Sequence, residues 1–193
     1  EFHGTLDGRG YSISNRTIDR ATTFVGLFGE LGKAARVSDL SLKDVTIAAT
    51  SDQLAVGALA GKNEGHIAKV TVSGSVSGAG DYIGGLVGDN GGTGVIASSH
   101  TATTIVDNDA ADVFAYVGGL VGINYHSISH SYATESVTEL AGSDSDIGGL
   151  VGWNDGGAIR SSHALGSVTT NSDGDFDNVG GLVGESGYAG TST

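Results

Sequence analysis

The sequence predicts an all-β fold, a parallel β-helix (β-solenoid) of about six coils of roughly 30 residues each. Three observations carry this. First, a glycine-framed apolar pattern recurs, as in Ile83-Gly84-Gly85-Leu86-Val87-Gly88, Val117 to Gly122, Ile147 to Gly152 and Val179 to Gly184. Looser copies stand at Val25 to Gly29 and Val56 to Gly61. Their leucines, at 27, 59, 86, 120, 150 and 182, repeat at a period near thirty with variable insertions, the signature of a stacked repeat. Second, a longer alternating segment follows each copy and keeps one phase in five consecutive units. Third, the chain shows no helical periodicity, and its 193 residues include 34 glycines and no proline.

The units follow in order. Residues 1–20 read as a leading coil: a short strand, a turn at Gly8-Arg9-Gly10, then an alternating strand. From there the array runs to residue 193 as one β-solenoid domain, and the absence of an initiator Met together with the abrupt final unit points to a segment of a longer array. Each unit begins with the Gly-Gly-Leu-Val-Gly strand, where glycine permits either a positive φ or a close approach between coils. The Leu and the following Val are expected to face opposite ways. Next comes a polar turn carrying Asn63, Asn90, Asn124 or Asn154, and stacked amides at that corner can bond one another up the array.

The alternating segments align on Val37, Ile67, Ile96, Ile128 and Ile159. Three, five and nine positions on, the columns are apolar or small. They are Leu40, Val70, Ser99, Ser131 and Ser162; then Leu42, Val72, Thr101, Ala133 and Ala164; then, from the third coil, Val76, Ile105, Val137 and Val168. The columns two and four positions on are polar or aromatic, which reads as a half-buried strand stacked in register. Parallel crossovers favour a right-handed winding.

Composition limits the function. A formal net charge of -13 disfavours nucleic acid, which needs a basic footprint, and disfavours anionic membrane surfaces. No apolar run reaches membrane-spanning length, so this segment is not expected to insert in a bilayer. With no cysteine, disulfide scaffolds and thiolate metal sites are excluded.

Ile147-Gly148-Gly149-Leu150-Val151-Gly152-Trp153-Asn154, followed by Ile159 to Val168, resembles the GLUG-motif repeat. So does Ile128 to Thr134, and Phe2 to Ile18 looks like the coil that leads such arrays. Arg16, where Leu is usual, and Gly57-Ala58, where Gly-Gly is usual, depart from the pattern. The resemblance implies a non-catalytic, structural or adhesive module of large secreted or surface-attached bacterial proteins. These include filamentous-haemagglutinin-like adhesins and the non-catalytic regions of IgA-specific metallopeptidases. The expected location is extracellular or at the cell surface. The expected partners are a host or neighbouring-cell protein or glycan, and the rest of the parent chain.

The ligand-like candidates are the column His100, Tyr132 and His163, with His130 beside it, and the single tryptophan, Trp153. His100 and His163 stand two coils apart, too far to share one metal ion. Trp153 serves either as an exposed anchor or as packing for its turn. A calcium-dependent reading rests on Asp173, Asp175 and Asp177 in an Asp/Gly loop, since calcium takes six to eight oxygens, several from carboxylates. Asp107-Asn108-Asp109 with Asp112, and Asp144-Ser145-Asp146, are similar but shorter. A carbohydrate-active β-helix enzyme would need paired surface carboxylates. Asp39, Asp44, Glu64, Asp89 and Asp155 are the surface candidates, and none forms a paired motif.

Overall fold

An apolar residue that recurs once per coil can be buried only if successive coils stack, and the computed structural model does stack them. It describes residues 1–49, 53–108, 115–140, 145–170 and 178–187. Three parallel faces run the length of the array. The long face holds Arg36–Ala49, His66–Gly78, His100–Asp107 and their shorter counterparts. The second face is six strands, from Phe24–Val25 to Asn178–Gly180, and the third is six strands, from Phe28–Leu31 to Val183–Gly187. The chain visits the three faces in that order six times, which gives six rungs and five turns between the first and the last. No helix occurs among the described residues.

The predicted columns hold as strand register. Val37, Ile67, Ile96, Ile128 and Ile159 lie directly over one another, and so do Val76, Ile105, Val137 and Val168. Most of these side chains are fully buried. They meet Ile83, Val117 and Ile147 from the second face and Leu59, Leu86, Leu120 and Leu150 from the turn before the third. Leu120 and Val121 both belong to this core. The expectation that Leu and Val face opposite ways is therefore wrong. The sharp turn between the second and third faces aims both inward.

The alternation is not a plain period of two. Inward residues are separated by three positions, as in Ile67 and Val70, and a regular strand cannot point both to one side. The residue two positions on absorbs the extra step by adopting a left-handed conformation: Asp39, Lys69, Ser98, His130 and Ser161 all have φ between 50° and 52°. This acts as a bulge repeated at the same corner of five coils. The bend takes the next N–H off the backbone ladder, and a serine of the following coil accepts it. Val70 donates to Ser99 Oγ at 3.1 Å, Ser99 to Ser131 Oγ at 3.2 Å, and Ser131 to Ser162 Oγ at 3.2 Å. Each hydroxyl in turn donates to the carbonyl two residues before it.

The glycines of the repeat serve close approach. None of them has a positive φ; among the described glycines that conformation is confined to Gly10, Gly74 and Gly156. A Cβ on Gly118 would overlap the carbonyl oxygen of Val121 and come within 2.8 Å of the Gly152 nitrogen. A Cβ on Gly122 would lie 2.7 Å from the Ile83 nitrogen and 2.9 Å from the Tyr116 oxygen. The second and third faces thus run back to back with only hydrogen between their backbones. The middle glycine does different work: a Cβ on Gly119 would lie 2.9 Å from Ala133 Cβ on the long face. Thr101 Oγ1 donates to the Gly119 carbonyl at 2.8 Å, which ties the long face to this turn.

At the polar turn the asparagines form a buried ladder. Asn63 Nδ2 donates to Asn90 Oδ1 at 2.8 Å, Asn90 to Asn124 at 2.7 Å, and Asn124 to Asn154 at 2.7 Å. The ladder closes at both ends on backbone. Asn63 Oδ1 accepts from the Gly65 N–H, and Asn154 Nδ2 donates to the Gly157 carbonyl. The first rung needs no amide and carries the buried Leu31 instead. Arg16, at the first coil, is solvent-exposed, as suits an end rung whose column is apolar only further in. Ala58 replaces the middle glycine of the second coil and is 1% exposed.

Candidate ligand-binding faces

Outward residues of a registered array stack just as the inward ones do, so side chains of one type become ladders. On the long face His100, Tyr132 and His163 occupy one column. Their rings are parallel: the His100 and Tyr132 centroids are 4.5 Å apart at 4°, and Tyr132 and His163 are 5.0 Å apart at 8°. Burial pushes the His100 pKa down, which favours a neutral imidazole in the stack. The predicted column is therefore one continuous aromatic strip. His130 does not join it. It sits exposed at the left-handed corner, with φ 50°, and no ring contact links it to the strip.

The strip opens at one end on a groove of about 330 Å³, lined by Lys43, Asp44, Thr71, Ser73, His100 and Ala102 among others. A local irregularity makes the groove. Between Leu42 and Val45 the second coil holds one residue more than the third, and Asp44 takes φ 53° to accommodate it. Ser73 Oγ accepts the Asp44 N–H at 3.2 Å. Neither the groove nor the bulge is foreseeable from the column alignment, because the extra residue appears only when coils of unequal length are paired.

A second aromatic group escaped the sequence reading. Tyr82 and Tyr116 are register partners on the second face, stacked at 5.5 Å and 6°. Trp153, on the third face, leans against Tyr116 at 4.8 Å and 52°. Trp153 is half-buried, so packing is at least part of its role. Tyr125 lies close by; burial, followed by the neighbouring Tyr82, Asp89, Asp155 and Tyr116, pushes its hydroxyl up to about 12. The available signal was the residue just before the Val/Ile of each Gly-Gly-Leu copy, which is tyrosine in two consecutive units.

The surface carboxylates fall into different settings. Asp39 Oδ1 lies 3.6 Å from Lys69 Nζ, an exposed pair in adjacent coils. Asp155 is half-buried, with register partner Gly187. Burial alone would push Glu64 up, but bonds from the Thr93 hydroxyl and amide, with the Lys62 ammonium, hold it below the usual carboxylate range. Asp89 is not a surface group. It is 8% exposed, its Oδ1 has no hydrogen-bond partner, and its register neighbours are Lys62 and Ile123. Burial, opposed by Lys62 and reinforced by Glu64 and Glu30, raises its pKa to about 6.

A carboxyl raised in the folded state costs stability when ionised. The cost is full above pH 6 and is removed as pH falls through 6 toward the unfolded value. Asp89→Asn is therefore expected to stabilise the chain at pH 8, by at most about 3 kcal/mol, and to change little at pH 4. Urea unfolding at the two pH values checks this. Equal effects at both would show that the Asp89 charge is not the cause.

Asp173, Asp175 and Asp177 lie outside the described residues, as do Asp109, Asp112 and Asp144.

Residues 115–138 and 143–169 match the model of the GLUG motif. These two segments are similar to the GLUG repeat, which supports a GLUG repeat region here. Each match spans one coil, from the second face through the third to the long face, and so includes a Gly-Gly turn, a ladder asparagine and a serine at the left-handed corner. The halomucin of Haloquadratum walsbyi is 42% identical over 102 residues, which is 52% of this chain and 1% of that protein. A protein of Evansella cellulosilytica, whose name calls it a Gly-rich membrane protein, is 39% identical over 72 residues, 37% of this chain and 8% of its own length. The chain thus spans a small fraction of both relatives. No solved structure matches it. No helix among the described residues is long and apolar enough to cross a membrane.

Proposed function

We propose that this chain is a non-catalytic structural and adhesive module of a secreted or cell-surface protein. It is a stiff acidic rod that presents aromatic strips to a glycan or protein of a neighbouring cell or host. The observation that carries the reading is the register maintained across six rungs on all three faces, reinforced by the asparagine and serine ladders. Every coil is bonded to the next along its length, so the array resists bending and can be extended by adding coils. Its match to about a hundredth of a halomucin and to part of a Gly-rich membrane protein supports a segment within a very long surface array. A net charge of -13 keeps such an array soluble and apart from its copies.

The His100–Tyr132–His163 strip supplies flat apolar rings against which the C–H face of a sugar can stack. The adjoining groove supplies Lys43, Asp44, Thr71 and Ser73 as hydrogen-bonding groups. One weak site per module becomes useful through repetition in the parent chain. The test is an immobilised-glycan and cell-surface glycoprotein screen with the whole chain, followed by Tyr132→Ala. The expected result is a hit that Tyr132→Ala weakens about five- to tenfold, with a stacking contact worth about 1–1.5 kcal/mol. Tyr82→Ala, on another face, leaves it unchanged. A hit indifferent to Tyr132→Ala would move the contact elsewhere, and no hit at all would leave the rod as a spacer.

A further inference from the structure

Beside the main core, the second and third faces bring two further columns of side chains together. On the second face Tyr82, Tyr116 and Asp146 stand in register. They precede the core residues Ile83, Val117 and Ile147, so strand alternation turns them away from the core. On the third face the column is Asp89, Ile123, Trp153 and Glu185. The two columns touch. Trp153 leans on Tyr116 at 4.8 Å, and Asn178 Nδ2 donates both to Asp146 Oδ1 at 2.8 Å and to Glu185 Oε2 at 3.2 Å. Ile123 is fully buried although it lies outside the main core, so a second apolar cluster exists here. Its rings are still partly open to solvent: Tyr125 is 37% exposed, and Tyr82, Tyr116 and Trp153 are half-buried.

Carboxylates run through this aromatic patch. Asp89, Asp146 and Glu185 belong to its columns, Asp81 precedes Tyr82, and Asp155 follows Trp153 by two residues. Burial first, then Asp81 and Asp89, pushes the Tyr82 hydroxyl up, and burial with Asp146 next does the same at Tyr116. Positive charge is scarce. No Lys or Arg occurs between Lys69 and Arg160, and both of those stand on the long face. Lys62 is the register partner of Asp89, but its ammonium lies 3.5 Å from Glu64. Two polar atoms of the patch are buried with no hydrogen-bond partner, Asp89 Oδ1 and Trp153 Nε1. An approaching cation offsets the repulsion among these carboxylates and the lost hydration of Asp89 without bonding its sealed oxygen.

We propose that this patch docks an extended basic segment of a partner protein, with arginine side chains lying against its rings and between its carboxylates. Rings beside acids suit a guanidinium, which stacks on an aromatic face and bonds carboxylates through its fork. The acids extend from Asp81 and Asp89 in the third rung to Glu185 in the sixth, about 14 Å along the rod. A lone small cation touches a fraction of that length, whereas an extended segment with several arginines follows it. The surface is independent of the glycan-binding reading, which concerns the long face.

The experiment titrates the whole chain with a synthetic peptide of alternating arginine and glycine. Physiological ionic strength is used, where long-range attraction is screened. Trp153 is the only tryptophan, so its emission reports on the patch itself, and calorimetry gives the affinity. The peptide is expected to change the emission and to bind more tightly than its lysine counterpart. Tyr125→Ala weakens binding about fivefold, and Asp155→Asn about two- to fivefold. Asp39→Asn removes the same charge from the long face and leaves binding unchanged. If Tyr125→Ala does not fold, Asp155→Asn against Asp39→Asn decides alone. Absence of binding overturns the proposal, as does binding that leaves the Trp153 emission unchanged. Equal losses in Asp155→Asn and Asp39→Asn would reveal diffuse attraction to an acidic rod and overturn it too. So would tetramethylammonium binding as tightly as the peptide, which would reveal a small-cation site.

Discussion

Gly118→Ala is expected to destabilise the chain by about 4 kcal/mol or more, placing it among the most damaging single substitutions. The added methyl would meet backbone rather than a flexible side chain: the Val121 carbonyl within its own coil and the Gly152 nitrogen in the next. Neither can move without separating the second face from the third, and the same pair of contacts recurs at Gly84 and Gly148, with the carbonyl contact alone at Gly180. Strain at one rung is therefore transmitted along the stack. Chemical denaturation with circular dichroism measures the loss. Gly92→Ala is the matched control, since a Cβ there meets nothing within 4 Å. Comparable losses in the two would show that glycine is needed in this chain for some reason other than close approach.

Asn124→Ala is expected to cost about 3–4 kcal/mol, because it opens the ladder in the middle. Asn154 Oδ1 loses its donor and Asn90 Nδ2 loses one of its two acceptors. Asn90 and Asn124 are fully buried, and water cannot readily replace what is lost. The bonds all run in one direction, from each amide nitrogen to the oxygen of the next coil, so one gap strands a group on either side. Asn154→Ala should cost less, since Asn154 is half-buried and is the last amide of the ladder. Urea midpoints for the two variants measure the difference. Equal losses would argue against a directional ladder.

Much of the fold could be read in advance because a stacked array writes its contacts into the sequence as a period. The core columns through Ile67, Ile96 and Ile128, the asparagine corner and the His100–Tyr132–His163 strip follow from counting positions. Register pairing then places equivalent residues over one another. The role of the serines was harder to see. Ser99 and Ser131 look like small core fillers in an alignment, and they act as hydrogen-bond acceptors only because the preceding residue is left-handed. His130 looked like a neighbour of the aromatic strip for the same reason: the corner that turns it away has no mark in its residue type. Trp153 carried no repeat at all, and its contact with Tyr116 joins two faces that are separate in the chain.

Repetition, period and charge are properties of the chain read along its length. They specify a stacked all-β rod with an acidic surface and place the ladders by residue number. Whatever depends on distance across the rod needed the fold. The glycines could have served either conformation or proximity, and the back-to-back faces make it proximity. Asp89 and Glu139 are indistinguishable by residue type from the solvated carboxylates around them. One is buried on the third face and the other on the long face. A carboxylate's meaning depends on the water it has lost and the charges left near it, and both are set by packing in three dimensions.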